Sequence, residues 1–169
     1  ILGYTLPEHV AFAKEAEQLG YTDAWSFEVD GQDCFTPLAV MALSTNMRLG
    51  TAIANVYSRG PATLAQSAAS IGELAPGRFE FGIGSGSQPI IEMWNNGRFI
   101  KPATRVKEMV QFLRPALAGE RVVFKGETFQ GGQGIDGQIA QIKVRACHLP
   151  QAREIQVRVQ AAIRAVGTV

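Results

Sequence analysis

Two short runs near the middle of the chain alternate hydrophobic and polar positions, and a run of helical period lies between them. Met47, Leu49, Thr51 and Ile53 point one way while Arg48, Gly50 and Ala52 point the other. Phe79, Phe81 and Ile83 alternate with Glu80 and Gly82 in the same fashion. Between the two, Leu64, Ala68 and Ile71 share one helical face, with the small Ala65 and Gly72 beside them. The pattern predicts a strand over 47–53, a helix opened by Pro61 and last anchored by Leu74, and a second strand running into Gly84-Ser85-Gly86-Ser87. Strand, helix and strand in that order form one βαβ unit, whose parallel strands end at the same edge. The loops after Ile53 and Gly84 therefore open onto one face, where a ligand is expected. The small residues Gly50 and Ala52 leave room there for something flat.

The same periodicities organise the rest. Thr5 and Glu8 have capping-box spacing, and Phe12, Ala13, Ala16 and Leu19 form a helical face stopped by Gly20. Residues 23–28 read as a buried strand through Ala24, Trp25 and Phe27. Thr36-Pro37 opens a helix through Leu38, Met41, Ala42 and Thr45, closed by Asn46. Residues 87–101, with Ile90, Ile91, Met93, Trp94 and an Asn-Asn-Gly turn, read as an insertion, either a pocket rim or a local packing patch. Pro102 starts a helix with the stripe Val106, Met109, Val110, Leu113 and Leu117, in which Pro115 is expected to make a kink. A hairpin is expected over 121–129 around Lys125-Gly126. Beyond residue 129 there is no Phe, Tyr or Trp; Ala140, Ile142, Val144 and Ala146 alternate as in a strand, and Ile155, Val159, Ala162 and Val166 share a helical face.

Composition narrows the function classes. The 169 residues are 46% hydrophobic and 18% charged, with a formal net charge of +1, which suits a globular domain and gives no reason to expect nucleic acid as a partner. No apolar run is long enough for a bilayer, so no membrane partner is expected. Cys34 and Cys147 are isolated, which favours a reducing, cytoplasmic setting over a disulfide framework. The chain begins with Ile1 rather than Met, as a fragment would. Neither HExxH, GKT or GKS, GxSxG nor a His-Cys cluster occurs, so metal: none is the expectation, and His9 and His148 have no setting that makes either a base. The glycines at 82, 84 and 86 follow a strand and leave open an NAD-binding Rossmann site, although the third glycine falls too early for the full fingerprint. Glu28, Asp30 and Asp33 cluster just past a strand end, either as a solvated acidic loop or, for Glu28, as a contact to a ligand on that face.

Taken in order, several short motifs resemble the luciferase-like monooxygenase family, and more closely its branch of oxidoreductases using the deazaflavin coenzyme F420. They are Ala16-Glu17 with Leu19-Gly20-Tyr21 and Trp25; Asp33 with Phe35-Thr36-Pro37-Leu38-Ala39; Arg48-Leu49-Gly50-Thr51-Ala52-Ile53; Arg59-Gly60-Pro61-Ala62 with Leu64-Ala65; Gly77-Arg78-Phe79; and Gly82-Ile83-Gly84. Glu92, Trp94-Asn95, Pro102 and Ala118-Gly119-Glu120 follow. The resemblance covers residues 1–129 and leaves 130–169 as an unmatched tail, a divergent fifth βα unit or an aberrant end.

The resemblance implies an α/β fold of the (β/α)8 TIM-barrel type with only the first four to five βα units present, since a full barrel takes about 250 residues. It implies hydride transfer between F420, or alternatively FMN, and a small organic substrate. It implies a non-prolyl cis peptide between Ala52 and Ile53 backing the cofactor ring, with Asn55 at the ring edge and Gly84, Ser85 and Gly86 near its polar side. Glu28 becomes the candidate catalytic acid, and Val29 stands where the family often has histidine. A partial barrel leaves two sheet edges to be met by a second copy or by the remaining half. A shortened flavin-binding or interaction protein without turnover is the alternative function. Finally, Arg48 and Glu80 each sit second in their strands on the non-core face, which predicts a direct ion pair between them.

Overall fold

The computed structural model describes residues 4–131 and the strand at 156–159. In chain order its elements are α1 (Leu6–Gln18), β1 (Asp23–Ser26), α2 (Thr36–Ser44), β2 (Arg48–Thr51), β3 (Ala54–Asn55), α3 (Pro61–Leu74) and β4 (Phe79–Gly84). A π-helical turn (Ile90–Trp94), α4 (Pro102–Leu117), a hairpin of β5 (Phe124–Lys125) and β6 (Gln130–Gly131), and β7 (Gln156–Val159) follow.

The larger sheet is parallel throughout. β1 pairs with β2, β2 and β3 pair with successive halves of β4, and β7 pairs with β4 along Glu80 to Ile83. Because β7 overlaps both β2 and β3 on β4, it lies on that strand's other side, which gives the order β1, β2 with β3, β4, β7. Strand-helix alternation with this parallel order is the beginning of a barrel wall.

One face of the sheet meets the helices. Leu49, Phe79, Phe81 and Ile83 project into a core filled by Leu38, Met41, Leu64, Ala68, Ile71, Met109, Phe112 and Leu113. The apolar stripes of α3 and α4 expected from the sequence supply most of this contact, and each fully buried large side chain contributes about 1.5–3 kcal/mol of transfer free energy. α4 runs through Pro115 to Leu117. Pro115 falls in the last turn; it lacks the N–H that would donate to Gln111 O, and only Ala116 and Leu117 lie beyond it in the helix. The guanidinium of Arg78 donates to the carbonyls of Ala42, Thr45 and Met47 (3.3, 3.1 and 2.8 Å), so the residue that opens β4 also closes the C-terminus of α2.

The opposite face is lined by Asp23, Trp25, Arg48, Gly50 and Glu80. The space over Gly50 expected to take something flat is filled by the protein's own Trp25, whose indole would lie 2.3 Å from a Cβ at position 50. The expected Arg48–Glu80 pair is replaced. Glu80 is level with Gly50, and Arg48 is level with Asp23, to which it forms a two-pronged pair through Nε–Oδ1 and Nη2–Oδ2, both 2.8 Å. The sequence reading placed the two strands in step by position number, whereas β4 starts two residues further along the register. Glu80 acts on Arg48 only as a second anion whose field, after Asp23, raises its pKa.

Three other expectations shift. α1 is capped by the Thr5–Glu8 box, but it buries His9 and Ala13, while Phe12 and Leu19 stay exposed. A cavity of about 500 Å³ separates α1 from β1, and Phe12 lines it together with His9, Trp25, Phe27 and Met41. The hairpin forms further along than expected, with Lys125 opposite Gln130 and Phe124 opposite Gly131. Gln156–Val159 is a strand, not part of a helix: its four residues pair in register with Glu80 to Ile83 of β4. The strand expected at 140–146 and the rest of the helical face ending at Val166 lie outside the described residues.

Candidate functional site at the C-terminal edge of the sheet

The predicted strand over 47–53 is two strands. Between β2 and β3 the Ala52–Ile53 peptide bond is cis, at the position the resemblance implied. Around the interruption, side chains and neighbours complete the ladder. Ala52 N–H donates to Ser26 O (2.6 Å), and the Thr51 hydroxyl donates to Gly82 O (2.7 Å) while accepting from Gly82 N–H (3.0 Å). The Thr51 carbonyl is turned onto the α-carbon of residue 82, where a Cβ would lie 2.2 Å from its oxygen. Glycine is therefore the residue that fits there.

Above this level the strand ends form a ledge. Ile53 is half-buried against Gly84, its side chain 3.0 Å from where a Cβ would stand. Ala52 and Gly86 face solvent, and Ser85 is half-buried with its hydroxyl donating to Gly86 O (3.2 Å). Gly86 adopts φ +67°, and its α-carbon backs onto Asn55, whose Cβ would be 3.2 Å from a side chain at position 86. The glycine turn then leads into a short helical run at residues 88–94, π-helical from Ile90 to Trp94, not into a regular α-helix. A dinucleotide fingerprint needs a helix N-terminus at that place, so the Rossmann reading fails on geometry.

Behind the ledge lies a buried polar cluster. Glu28, just past β1, accepts from Asn55 N–H (3.1 Å) and Asn55 Nδ2 (3.2 Å) through Oε2, and its Oε1 is paired with Arg59 Nη1. The side chains of Glu28 and Arg59 are 11% and 17% exposed, so this pair is largely shielded from water. Asn55 is itself 1% exposed and fully engaged, with Oδ1 accepting from the N–H groups of Tyr57 (3.1 Å) and Ser58 (2.7 Å) in an Asx turn. Arg59 reaches Asp33 as well (3.5 Å) and lies over the Phe35 ring, 5.1 Å from its centroid. Asp33 caps α2, accepting from Phe35 N–H, Thr36 N–H and the Thr36 hydroxyl at 2.8, 3.2 and 2.5 Å.

Burial tends to raise the pKa of Asp33, but the Thr36 hydroxyl and the two backbone N–H groups outweigh it, with help from Arg59, and hold the carboxyl below its usual range. Arg59 loses hydration by burial, yet the Glu28 carboxylate more than offsets this and keeps the guanidinium charged. Cys34 lies beneath, fully buried, and burial with the field of Glu28 pushes its thiol far up, so it is an inert core group.

A second network flanks the ledge. Arg105 on α4 donates to Val56 O (3.1 Å) and Thr128 O (2.8 Å), and its guanidinium lies between the rings of Tyr57 and Phe129 (5.3 and 4.7 Å to the centroids). It thereby joins the end of β3 to the hairpin.

Residues 3–161 match the sequence profile of the luciferase-like monooxygenases. The chain belongs to this family. The match extends well into the segment that sequence reading left unassigned. A luciferase-like relative, 5,10-methylenetetrahydromethanopterin reductase of Methanolobus tindarius, is 34% identical over 123 residues, covering 72% of this chain and 37% of that protein. A putative coenzyme F420-dependent oxidoreductase of Mycobacterium tuberculosis is 33% identical over 116 residues, covering 68% and 33%. The fold agrees. The F420-dependent tetrahydromethanopterin reductase of Methanopyrus kandleri superposes with a TM-score of 0.75 at 23% identity, over 92% of this chain and 47% of that one. The oxygenating constituent of 3,6-diketocamphane monooxygenase from Pseudomonas putida, solved with FMN, gives 0.71 at 16% identity, over 93% and 47%. The chain thus spans about a third of the length of these curated relatives.

Within this luciferase-like frame the structure brings Glu28, Ala52, Ile53, Asn55, Gly84, Ser85 and Gly86 together at one edge. Their duties differ: Ala52, Ile53, Ser85 and Gly86 reach the surface, while Glu28 and Asn55 stand behind it. Sequence reading missed the roles of Arg59 and Thr51. Both stood in quoted motifs, but their partners, Glu28 and Gly82, are 31 positions away in each case, so no local pattern announced them. Among the described residues no helix is long and apolar enough to cross a membrane, and no group of three or more His, Cys, Asp or Glu could hold a metal.

Proposed function

We propose that this chain is the first part of an oxidoreductase that binds F420, or alternatively FMN, against the ledge formed by Ala52, Ile53 and the Gly84–Gly86 turn. The observation that carries the reading is the ledge itself. Ile53 lies on Gly84 and presents an aliphatic surface bounded by solvent-facing Ala52 and Gly86, which fits the apolar face of a flat ring system. The sequence likeness to proteins named as F420-dependent supports the deazaflavin over the flavin.

A bound deazaflavin or flavin supplies the hydride-accepting and hydride-donating centre for a small organic substrate. The chain's own residues position it. Ala52 and Ile53 would bear on the ring, Ser85 and the backbone of Gly86 would offer polar contacts, and Asn55 holds the turn beneath. The edges of the sheet among the described residues, at β1 and β7, are met by a second copy or by the remaining barrel strands, a point that sedimentation analysis decides. The isolated cysteines and the buried Cys34 thiol fit a reducing, cytoplasmic setting.

The test is a titration of the purified protein with F420 and with FMN, followed by the fluorescence of Trp25 and Trp94 and checked by ultrafiltration. Micromolar binding of either is expected, tighter for F420. Binding of NAD alone, or of none of the three, would overturn the reading. Retention of cofactor without turnover is the second reading, favoured because Glu28 is already engaged by Asn55 and Arg59. It predicts saturable F420 binding with no consumption of the reduced cofactor by carbonyl, imine or alkene substrates.

A further inference from the structure

We infer that Arg59 is a positioning residue, which through Glu28 and Asn55 locks the loops after β1, β3 and β4 into one preassembled seat. The inference rests on the ledge being the ligand site. Each link is a contact already described. Arg59, in the loop before α3, pairs with Glu28 and Asp33 of the loop after β1. Glu28 receives both the backbone and the side-chain N–H of Asn55 at the end of β3. Asn55 packs against Gly86 of the loop after β4, close enough that a Cβ there would lie 3.2 Å away. Two of the loops therefore meet at one shielded carboxylate, and the third packs on the asparagine that this carboxylate holds.

The arrangement reassigns Glu28. A group that takes protons from a substrate needs a lone pair directed at it, whereas Glu28 offers one oxygen to Arg59 and the other to Asn55. Its chemistry is that of a permanent acceptor, held on one side by Arg59 and on the other by Asn55. Without the guanidinium the carboxylate is left shielded beside Asn55 and Cys34 with no cation, so the loop opens to water and the hold on Asn55 weakens.

Hydrogen exchange on the free protein tests the lock without any cofactor. In Arg59→Met and in Glu28→Leu, amide exchange at Asn55, Tyr57, Ser58 and the Gly84–Gly86 turn should accelerate roughly tenfold or more beyond the change set by global stability, while α3 and the core of β4 lose only the protection that the lower global stability accounts for. Glu127→Gln, which removes only the exposed Lys101–Glu127 pair, should change neither. The double variant Arg59→Met/Glu28→Leu separates positioning from packing. It should recover thermal stability because no charge is left stranded, yet keep fast exchange at residues 84–86 and weak F420 binding. Recovery of slow exchange together with stability would show a merely structural pair and overturn the inference, as would unchanged exchange at 84–86 in both folded single variants. If the wild type binds neither F420 nor FMN, the cofactor proposal fails, and the exchange pattern still decides whether the three loops move as one.

Discussion

The parallel sheet carries an arginine-carboxylate pair at each end. Arg48 and Asp23 meet at the N-terminal end of their strands with side chains 59% and 26% exposed. Arg59 and Glu28 meet past the C-terminal end at 17% and 11%. The chemistry is the same, but the first pair joins two adjacent strands whose ladder already holds them together. The second joins loops that have no ladder between them. Charge pairs in the open contribute little, because water solvates both partners nearly as well apart. A shielded pair makes each partner depend on the other, so its value lies in the geometry it enforces.

The largest expected effect comes from breaking the shielded pair on one side. Arg59→Met should destabilise by about 3–5 kcal/mol, measured by urea unfolding, because Glu28 is left buried without its cation. Next is the glycine behind the ledge. Gly82→Ala drives a methyl into the Thr51 carbonyl and should cost about 1–3 kcal/mol, with a lower midpoint at unchanged m value. A smaller effect concerns pH. Asp33 titrates below its ordinary range in the folded protein, so its contribution is fully present above the unfolded carboxylate value of about 4 and fades as pH falls through the lower folded value. Asp33→Asn keeps a capping oxygen but loses the titration, and its melting temperature should fall less steeply than wild type between pH 5 and pH 3. Glu108, held low by Thr128 and the N–H groups of Glu127 and Thr128 against its own burial, adds to the same acid limb and should be unaffected by that variant. Smallest of all, Asp23→Asn at the exposed end should leave the melting temperature unchanged within error at 0.15 M salt. A large loss there would erase the distinction between the two ends.

What the sequence disclosed follows from the range of its signals. α3 was legible to the residue, because Pro at the first turn, a 3.6-residue apolar stripe and a terminal stop are all local, and α4 was legible from its Pro102 start and its stripe. The unit β2–α3–β4 was legible for the same reason, and the ordered motifs located the cis bond. The register of β4 on β2 was not, since it depends on how far the crossing helix advances the chain, and a shift of two residues moved Arg48 from Glu80 to Asp23. Trp25 was seen as a core strand residue, although its register partner is Gly50, over which its ring lies. The ledge could be placed by glycine and motif, whereas the cluster behind it is built from contacts across 27 and 31 positions, which periodicity does not reach.

Thr51 shows how an interrupted strand constrains its chemical alphabet. Its hydroxyl replaces a missing rung, giving a hydrogen to the carbonyl of Gly82 and taking one from the N–H of the same residue. Valine has the same shape and could satisfy neither group, so two buried backbone partners would go without. Serine is smaller and could satisfy both. At this position substitutions are filtered by how many lone pairs and hydrogens a side chain brings, not by how well it fills space. That is the reverse of the rule for Leu49, two residues earlier in the same strand, where the surroundings are wholly apolar and only volume counts.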